Sequence, residues 1–148
     1  METSTITMRV SKHDCDETGQ LYYGAVNVFF QQGEEELFRT EKGSKRIFRE
    51  KYKMAYVCLG VHWEVFATAS YDEVLRVESR LEDLREKTYY LVHEVYRGDT
   101  RELVAKGWLQ RICVSTEGGK IGARDIPDEV RDSIRHFAHP PTAVPVAR

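Results

Sequence analysis

The 148-residue sequence has no long apolar run and no excess of charge of either sign. Apolar runs such as Ala55 to Val61 are far shorter than the ~20 residues that a membrane-spanning helix needs. The 22 Lys and Arg residues are offset by 24 Asp and Glu residues, which gives a formal net charge of −2. Because such a chain has no overall field that attracts nucleic acid or an acidic membrane, we expect neither as a partner.

Cysteine and proline are also scarce. Cys15, Cys58 and Cys113 are widely spaced and no Cys-x-x-Cys pair occurs, which argues against a zinc site and a disulfide framework. Reduced thiols of this kind are typical of a cytoplasmic protein, and we expect no metal and no other cofactor. Three of the four prolines fall in residues 139–148, so we expect a single domain over residues 1–138 and a disordered tail after it.

Hydrophobic periodicity predicts the order strand, long helix, four strands and short helix. Apolar spacings of three, four and seven predict the long helix from about Gly24 to Lys42, and Pro127 precedes a short helix that ends at Phe137. Alternation of apolar and polar residues predicts strands over residues 5–12, 55–65, 74–85, 88–97 and 103–115. Strands joined by short turns pair antiparallel, so the predicted fold class is α+β, with one helix packed on a curled sheet.

Three details of this pattern can be checked against a structure. In the strand over residues 55–65, one face is predicted to carry the apolar residues Val57, Leu59, Val61, Trp63 and Val65. Gly33 lies in mid-helix, where glycine costs roughly 1 kcal/mol relative to alanine, so we expect another backbone to come close to the helix there. The strands over residues 74–85 and 103–115 contain no proline that would block an exposed edge, which predicts a homo-oligomer.

The segment Asp14 to Gly19 (D-C-D-E-T-G) is the sharpest local motif, and three chemistries compete for it. A calcium loop requires a carboxylate at its twelfth position, which is Ala25 here. The D-x-D-x-T loop of aspartate-dependent phosphatases requires a preceding buried parallel strand, whereas residues 5–12 alternate. The third is a carboxylate just before a helix amino terminus, whose unpaired N–H groups polarise a carbonyl. That arrangement suits hydrolysis of an activated ester or thioester.

The segment Asp16 to Tyr23 (D-E-T-G-Q-L-Y-Y) is similar to the motif D-x-x-G-x-[VL]-[YF]-Y. This motif opens the 4-hydroxybenzoyl-CoA thioesterase-like branch of the hotdog-fold superfamily. The resemblance covers roughly residues 5–137 and includes four further segments: Tyr71 to Leu75, Glu94 to Arg97, Leu103 to Gly107 and Ile126 to Val130. It implies a long antiparallel sheet of about five strands wrapped around the central helix, so that the backbone close to Gly33 would be that of the sheet.

The resemblance also implies the function and the site. Asp16 would be the catalytic carboxylate, the backbone N–H of Tyr23 would polarise the thioester carbonyl, and Gly19, Tyr22 and Gly24 would contact the substrate. The implied substrate is an acyl thioester of CoA or of an acyl carrier protein, and the implied assembly is a dimer or tetramer with active sites at the dimer interface. The alternative is a non-hydrolytic acyl-thioester-binding protein on the same fold.

Other charged residues near these segments give further expectations. Without the resemblance, Asp16 fits equally well as an acid that caps a turn or a helix. Asp14 is expected to be a solvated neighbour that raises the pKa of Asp16 by like-charge repulsion.

The acidic cluster from Glu34 to Glu36 would add a second carboxylate near the site. In the basic segment from Lys42 to Lys53, we expect Lys45, Arg46 and Arg49 to bind CoA phosphates or an acidic carrier protein.

Overall fold

The computed structural model describes residues 1–39 and 44–142. Five strands of six residues or more form the sheet: β1 Ser4–Arg9, β2 Met54–Val65, β3 Val74–Glu82, β4 Thr88–Arg97 and β5 Leu103–Ser115. Two short strands, β6 Gly122–Ala123 and β7 Ala138–His139, extend it. The helices are α1 Tyr23–Leu37, α2 Lys45–Tyr52 and α3 Asp128–Ile134. No helix among the described residues is long and apolar enough to cross a membrane.

The long strands form one antiparallel sheet in the order β1-β3-β4-β5-β2. The sheet curls around α1, whose buried face packs against inward-facing residues of β1, β3 and β4. This arrangement confirms the predicted α+β class and the sheet wrapped around a central helix. It also excludes the phosphatase interpretation of the Asp14 loop, because the strand before that loop pairs antiparallel with β3.

Helix α1 is shorter than predicted. It ends at Leu37 because Phe38 turns inward, where it is fully buried and packs against the rings of Tyr56 and Tyr89. The predicted end at Lys42 lies outside the described residues. Strand β3 also ends early, at Glu82, because Asp83 adopts a left-handed conformation with φ 48°.

Gly33 lies where α1 comes closest to the sheet. A Cβ atom on this glycine would lie 2.5 Å from Ser79 Oγ and 3.2 Å from His93 Nδ1. The expected close approach is therefore present, although side chains of β3 and β4 make it rather than the sheet backbone. Ser79 Oγ and His93 Nδ1 are themselves hydrogen bonded at 2.7 Å.

Strand β2 carries its apolar residues differently from the prediction. The register against β5 shifts between Cys58 and Gly60, which is a β-bulge at Leu59. A bulge inserts one residue and changes which side chains face the core. The expectation of a single apolar face is therefore wrong: Leu59 and Val57 are exposed, while Trp63 packs against the core.

The edges of the sheet also differ from the prediction. Strands β3 and β5, which were expected to leave edges exposed, are both interior strands. Among the described strands, β2 pairs only with β5, so the long unpaired edge belongs to β2.

The first residues of the expected tail are ordered. His139 pairs in parallel with Glu82 at the end of β3, beyond the part of β3 that β1 covers. The backbone N–H of Thr142 donates to Glu82 Oε1 at 2.8 Å, and its hydroxyl donates to the same oxygen at 2.6 Å. The boundary predicted at residue 138 is thus too early, because Glu82 is a buried carboxylate that needs these donors. Residues 143–148 lie outside the described part of the chain.

Candidate active site

The Asp14 loop folds back on itself immediately before α1. The N–H of Asp16 donates to the carbonyl of Gln20 at 2.8 Å, and the N–H of Tyr22 donates to the carbonyl of Asp14 at 2.8 Å. Gly19 has φ +81°, a conformation that glycine adopts without strain, and this allows the chain to reverse. These bonds fix the loop to the residue that precedes α1.

Asp16 lies exposed near the tip of this loop. Its Oδ1 accepts bonds from the hydroxyl of Thr18 at 2.6 Å, the N–H of Thr18 at 2.9 Å and the N–H of Gln20 at 3.3 Å. The hydroxyl of Thr18 is the main cause that lowers the pKa of Asp16 below its ordinary value. Asp16 Oδ2 accepts none of these three bonds. The side chain is therefore an oriented, ionised carboxylate with one oxygen directed away from its own loop contacts.

Asp14 is not the solvated neighbour that the sequence suggested. Only 7% of the residue is exposed, and its Oδ2 accepts the backbone N–H of Ser11 at 2.8 Å. The expected rise in the pKa of Asp16 is also wrong, because the bonds from Thr18 lower it. Asp14 therefore serves the structure of the short 3-10 turn Lys12–Asp14.

The amino terminus of α1 follows the loop directly. Tyr22 is the N-cap residue, and no side chain caps the helix there. Because the first N–H groups of a helix have no partner within it, Tyr23 presents a backbone donor at the positive end of the helix dipole. The ring of Tyr22 lies against Gly24, and the ring of Tyr23 stacks on Trp63 of β2 with 6.1 Å between centroids.

An open cavity of about 730 Å³ adjoins this loop. Its lining residues are Lys12, Cys15, Asp16, Glu17, Gly19 and Tyr71. Tyr71 in this lining is exposed, and at the start of α1 Tyr22 and Tyr23 are exposed as well, Tyr23 to 69%. Of the predicted site residues, Asp16 and Gly19 line the cavity, while Tyr22, Tyr23 and Gly24 follow the loop at the start of α1.

The basic residues of α2 lie away from this group. Lys45 Nζ bonds Glu34 Oε1 at 2.7 Å, and Glu34 is eleven residues along α1 from Tyr23. At 1.5 Å per residue, this separation is about 16 Å along the helix axis. Arg46 pairs with Glu50 at 3.5 Å and Arg49 is exposed. Lys45 therefore holds a buried carboxylate of its own fold instead of lying free for a phosphate.

Glu34 is the buried member of the acidic cluster, while Glu35 and Glu36 are exposed. Arg111 of β5 donates from Nε to Glu34 Oε2 at 3.0 Å and from Nη2 to Oε1 at 2.9 Å. Burial alone would raise the pKa of Glu34, but the bond from Arg111 and the charges of Lys45 and Arg111 outweigh it and lower the pKa. Glu34 is thus paired at the far end of α1 and does not add a carboxylate beside Asp16.

Arg111 is the residue that sequence analysis missed. It is in phase with Leu109 and Cys113, which face inward from β5. A charged residue at an inward-facing position of an alternating strand, together with a glutamate on the apolar face of a helix, is the signal that would have indicated a buried pair. No group of three or more His, Cys, Asp and Glu side chains among residues 1–39 and 44–142 is arranged to hold a metal.

Comparison with known proteins places this geometry in a family. A family model described as the thioesterase-like superfamily matches residues 10–134. The acyl-CoA thioesterase YbgC of Haemophilus influenzae is 23% identical over 130 residues, which cover 88% of this chain and 93% of that protein.

Solved structures share the fold. The 4-hydroxybenzoyl-CoA thioesterase from Pseudomonas sp. strain CBS-3 matches with a TM-score of 0.79 and 20% identity, covering 89% of this chain and 99% of that one. A hypothetical protein from Staphylococcus aureus, solved in complex with CoA, matches with a TM-score of 0.82 and 17% identity, covering 97% of this chain and 89% of that one. The chain belongs to the thioesterase-like superfamily and has the hotdog fold.

Proposed function

We propose that this protein hydrolyses an acyl-CoA thioester to a free acid and CoA. The observation that carries the proposal is the ionised carboxylate of Asp16 on a loop that is hydrogen bonded directly to the start of α1. Membership of the superfamily supports the reaction class. The name of the YbgC relative and the CoA complex of the Staphylococcus aureus protein favour CoA over an acyl carrier protein as the thiol.

In this proposal, the backbone N–H of Tyr23 donates to the thioester oxygen. Negative charge develops on that oxygen as the carbonyl carbon becomes tetrahedral, and the helix dipole stabilises it. Gly19, Tyr22 and Gly24 form the immediate surroundings of the reacting group. Arg46 and Arg49 are the proposed contacts for the phosphates of CoA, since Lys45 is bonded to Glu34.

Asp16 has two possible roles, and each gives a balanced reaction. As a base, it removes a proton from water, the hydroxide adds to the carbonyl carbon, and the C–S bond breaks while the sulfur gains the proton. As a nucleophile, its oxygen forms an anhydride with the acyl group and releases the thiolate, after which water opens the anhydride. Single turnover in oxygen-18 water separates the two routes, because only the nucleophilic route can leave label in Asp16.

A second copy of the chain is proposed to complete the site. The Asp16 cavity is open in one protomer, and the exposed ring of Tyr71 lines it. The edge of β2 is twelve residues long, unpaired among the described strands, and carries the exposed side chains of Val57, Leu59 and Val65. Because an edge of this kind is a template for pairing with another strand, we propose a homodimer joined at β2.

The test is a thiol-release assay with aliphatic, aromatic and β-keto acyl-CoA substrates. We expect the purified protein to release CoA from at least one of them with saturation kinetics. Tight binding of an acyl-CoA without thiol release would contradict the proposal and would identify an acyl-thioester-binding protein instead.

A further inference from the structure

A groove runs along α1 from Asn27 to the Glu34–Arg111 pair. On the helix, Tyr23, Asn27, Gln31 and Glu34 follow one another at spacings of four, four and three, so they lie on one face. The lining of the groove begins at Asn27 and includes Glu34 and Arg111. The groove therefore lies between α1 and the concave face of the sheet.

The lining of the groove begins at Asn27, one helical turn after Tyr23 on the same face of α1. Tyr23 stacks on Trp63, and Trp63 is the register partner of Gly107, the β5 residue at which the groove lining starts. An acyl group whose carbonyl oxygen is held by Tyr23 N–H would reach the groove one helical turn further on, at Asn27, and follow a path along α1 towards Glu34. The bulge in β2 places both Cys58 and Val61 on the wall of this path.

The groove is apolar in the middle and charged at its end. Phe30, Val61 and Leu109 line it, together with the neutral ring of His93, which stacks on Phe30. Its volume is about 220 Å³, larger than the ~150 Å³ cavity that suffices for a benzene molecule. A medium-length chain or a single ring therefore fits.

Arg111, at the end of the groove, has N–H donors that Glu34 does not use. A guanidinium group has five N–H donors, and two of those of Arg111 are used by Glu34. Within the described part of the chain, Nη1 of Arg111 has no protein acceptor, and 17% of the side chain is accessible. Lys45 and Arg111 together oppose the single carboxylate of Glu34, which leaves one positive charge in excess.

We infer that this groove receives the acyl group and selects acyl groups that carry an oxygen acceptor, best a carboxylate, at the end remote from the thioester. The inference rests on the proposed function for the position of the thioester. The remote oxygen accepts the free N–H donors of Arg111, and an apolar end leaves those donors without a partner. Such a donor left unpaired in a buried site weakens binding by about tenfold or more.

The experiment measures Kd values for two hydrolysis-inert thioether analogues of CoA. One is S-octyl-CoA, and the other carries a terminal carboxylate in place of the terminal methyl group. We expect the wild-type protein to bind the carboxylate analogue at least about tenfold more tightly. The double variant Glu34→Leu/Arg111→Met removes the whole pair, because removing one partner alone would leave a buried unpaired charge. We expect this variant to prefer S-octyl-CoA.

Lys87→Met is the matched control, since it removes a cation whose partner, Asp125, lies on the surface. It should keep the wild-type ratio of the two Kd values. Equal or weaker binding of the carboxylate analogue by the wild type would overturn the inference, whether or not the double variant folds. Because the analogues are not hydrolysed, this result is independent of thiol release: activity without selectivity refutes only the inference, and selectivity without activity refutes only the proposed function.

Discussion

Asp16 is kept ionised by its own loop. Its pKa is lowered chiefly by the hydroxyl of Thr18, with help from the N–H groups of Thr18 and Gln20. A carboxylate with a lowered pKa remains charged into the acid range, where an ordinary aspartate begins to take up a proton. The same bonds also orient the side chain, so the hydrogen bonds from Thr18 and Gln20 set both the ionisation and the position of the Asp16 carboxylate.

Replacing Thr18 by valine should move the acid limb of the pH profile. The substitution removes the hydroxyl bond that favours the charged form, so the pKa of Asp16 rises. The fall in kcat/KM on acidification should then begin at a higher pH than in the wild type. Thr18→Ser retains the hydroxyl and should leave the limb in place. If kcat/KM fell at the same pH in the valine and serine variants, the ionisation of Asp16 would not be the cause of the acid limb.

At the scale of elements, α1 joins the candidate site to the Glu34–Arg111 pair. Its first N–H groups face the reacting carbonyl in our proposal, and near its other end Gly33 packs against β3 and β4 and Glu34 bonds Arg111. A helix that is held near both its ends keeps these groups at a constant separation. A substitution at Gly33 therefore tests how tightly α1 packs against the sheet.

Gly33→Ala should lower the free energy of unfolding by about 1 kcal/mol. The new Cβ meets Ser79 Oγ at 2.5 Å, and overpacking typically costs about 1–3 kcal/mol, which exceeds the roughly 1 kcal/mol gained in helix propensity. Urea unfolding measures the difference. Gly60→Ala is the control, because its Cβ meets nothing within 4 Å. A Gly33→Ala protein as stable as the wild type would show that α1 does not pack tightly against β3 and β4 at this position.

Helix α2 supplies the next test. Replacing Arg46 and Arg49 by alanine should raise KM for an acyl-CoA several-fold and leave kcat nearly unchanged, because phosphate contacts far from the carbonyl act in ground-state binding. Steady-state kinetics with an acyl-CoA and with its short N-acetylcysteamine thioester separates the effects, since the short thioester lacks the phosphates. Equal effects on both substrates would exclude a phosphate contact.

The sequence predicts most of these elements because their patterns are local. The alternation in β4 and β5 indicates their bounds, and the motif from Asp16 to Tyr23 indicates the loop and the start of α1. The end of α1, the bulge at Leu59 and the burial of Asp14 depend on tertiary contacts, so periodicity does not reveal them. The pairing of Glu34 with Arg111 joins residues 77 positions apart and has no local signature beyond two charges on inward-facing positions.

At the scale of the whole molecule, β2 is the strand with the most large apolar side chains exposed among the described residues: Val57, Leu59, Val61 and Val65. Exposed apolar surface on an unpaired strand is typical of a protein–protein contact. A second copy that pairs at β2, as we propose, would cover these side chains.

Light scattering at micromolar concentration should give a mass of at least twice the 17.2 kDa of one chain. The double variant Val57→Lys/Leu59→Lys places charges on the β2 edge and should shift the mass towards that of the monomer. Ile121→Lys changes a more exposed apolar residue away from β2 and should not affect the assembly. A wild-type monomer would contradict the proposed interface.

Thiol release by the Asp16→Asn variant measures whether Asp16 performs the chemistry. Asparagine keeps the shape and can still bond within the loop, so the fold, checked by circular dichroism, and the affinity for an acyl-CoA thioether should persist. Glu17→Gln is a better control than Asp14→Asn, because Glu17 is an exposed carboxylate of the same loop whereas Asp14 is buried and bonded. We expect kcat to fall roughly 10²–10⁴-fold in Asp16→Asn and to change little in Glu17→Gln. A kcat near that of the wild type in Asp16→Asn would show that Asp16 does not perform the chemistry.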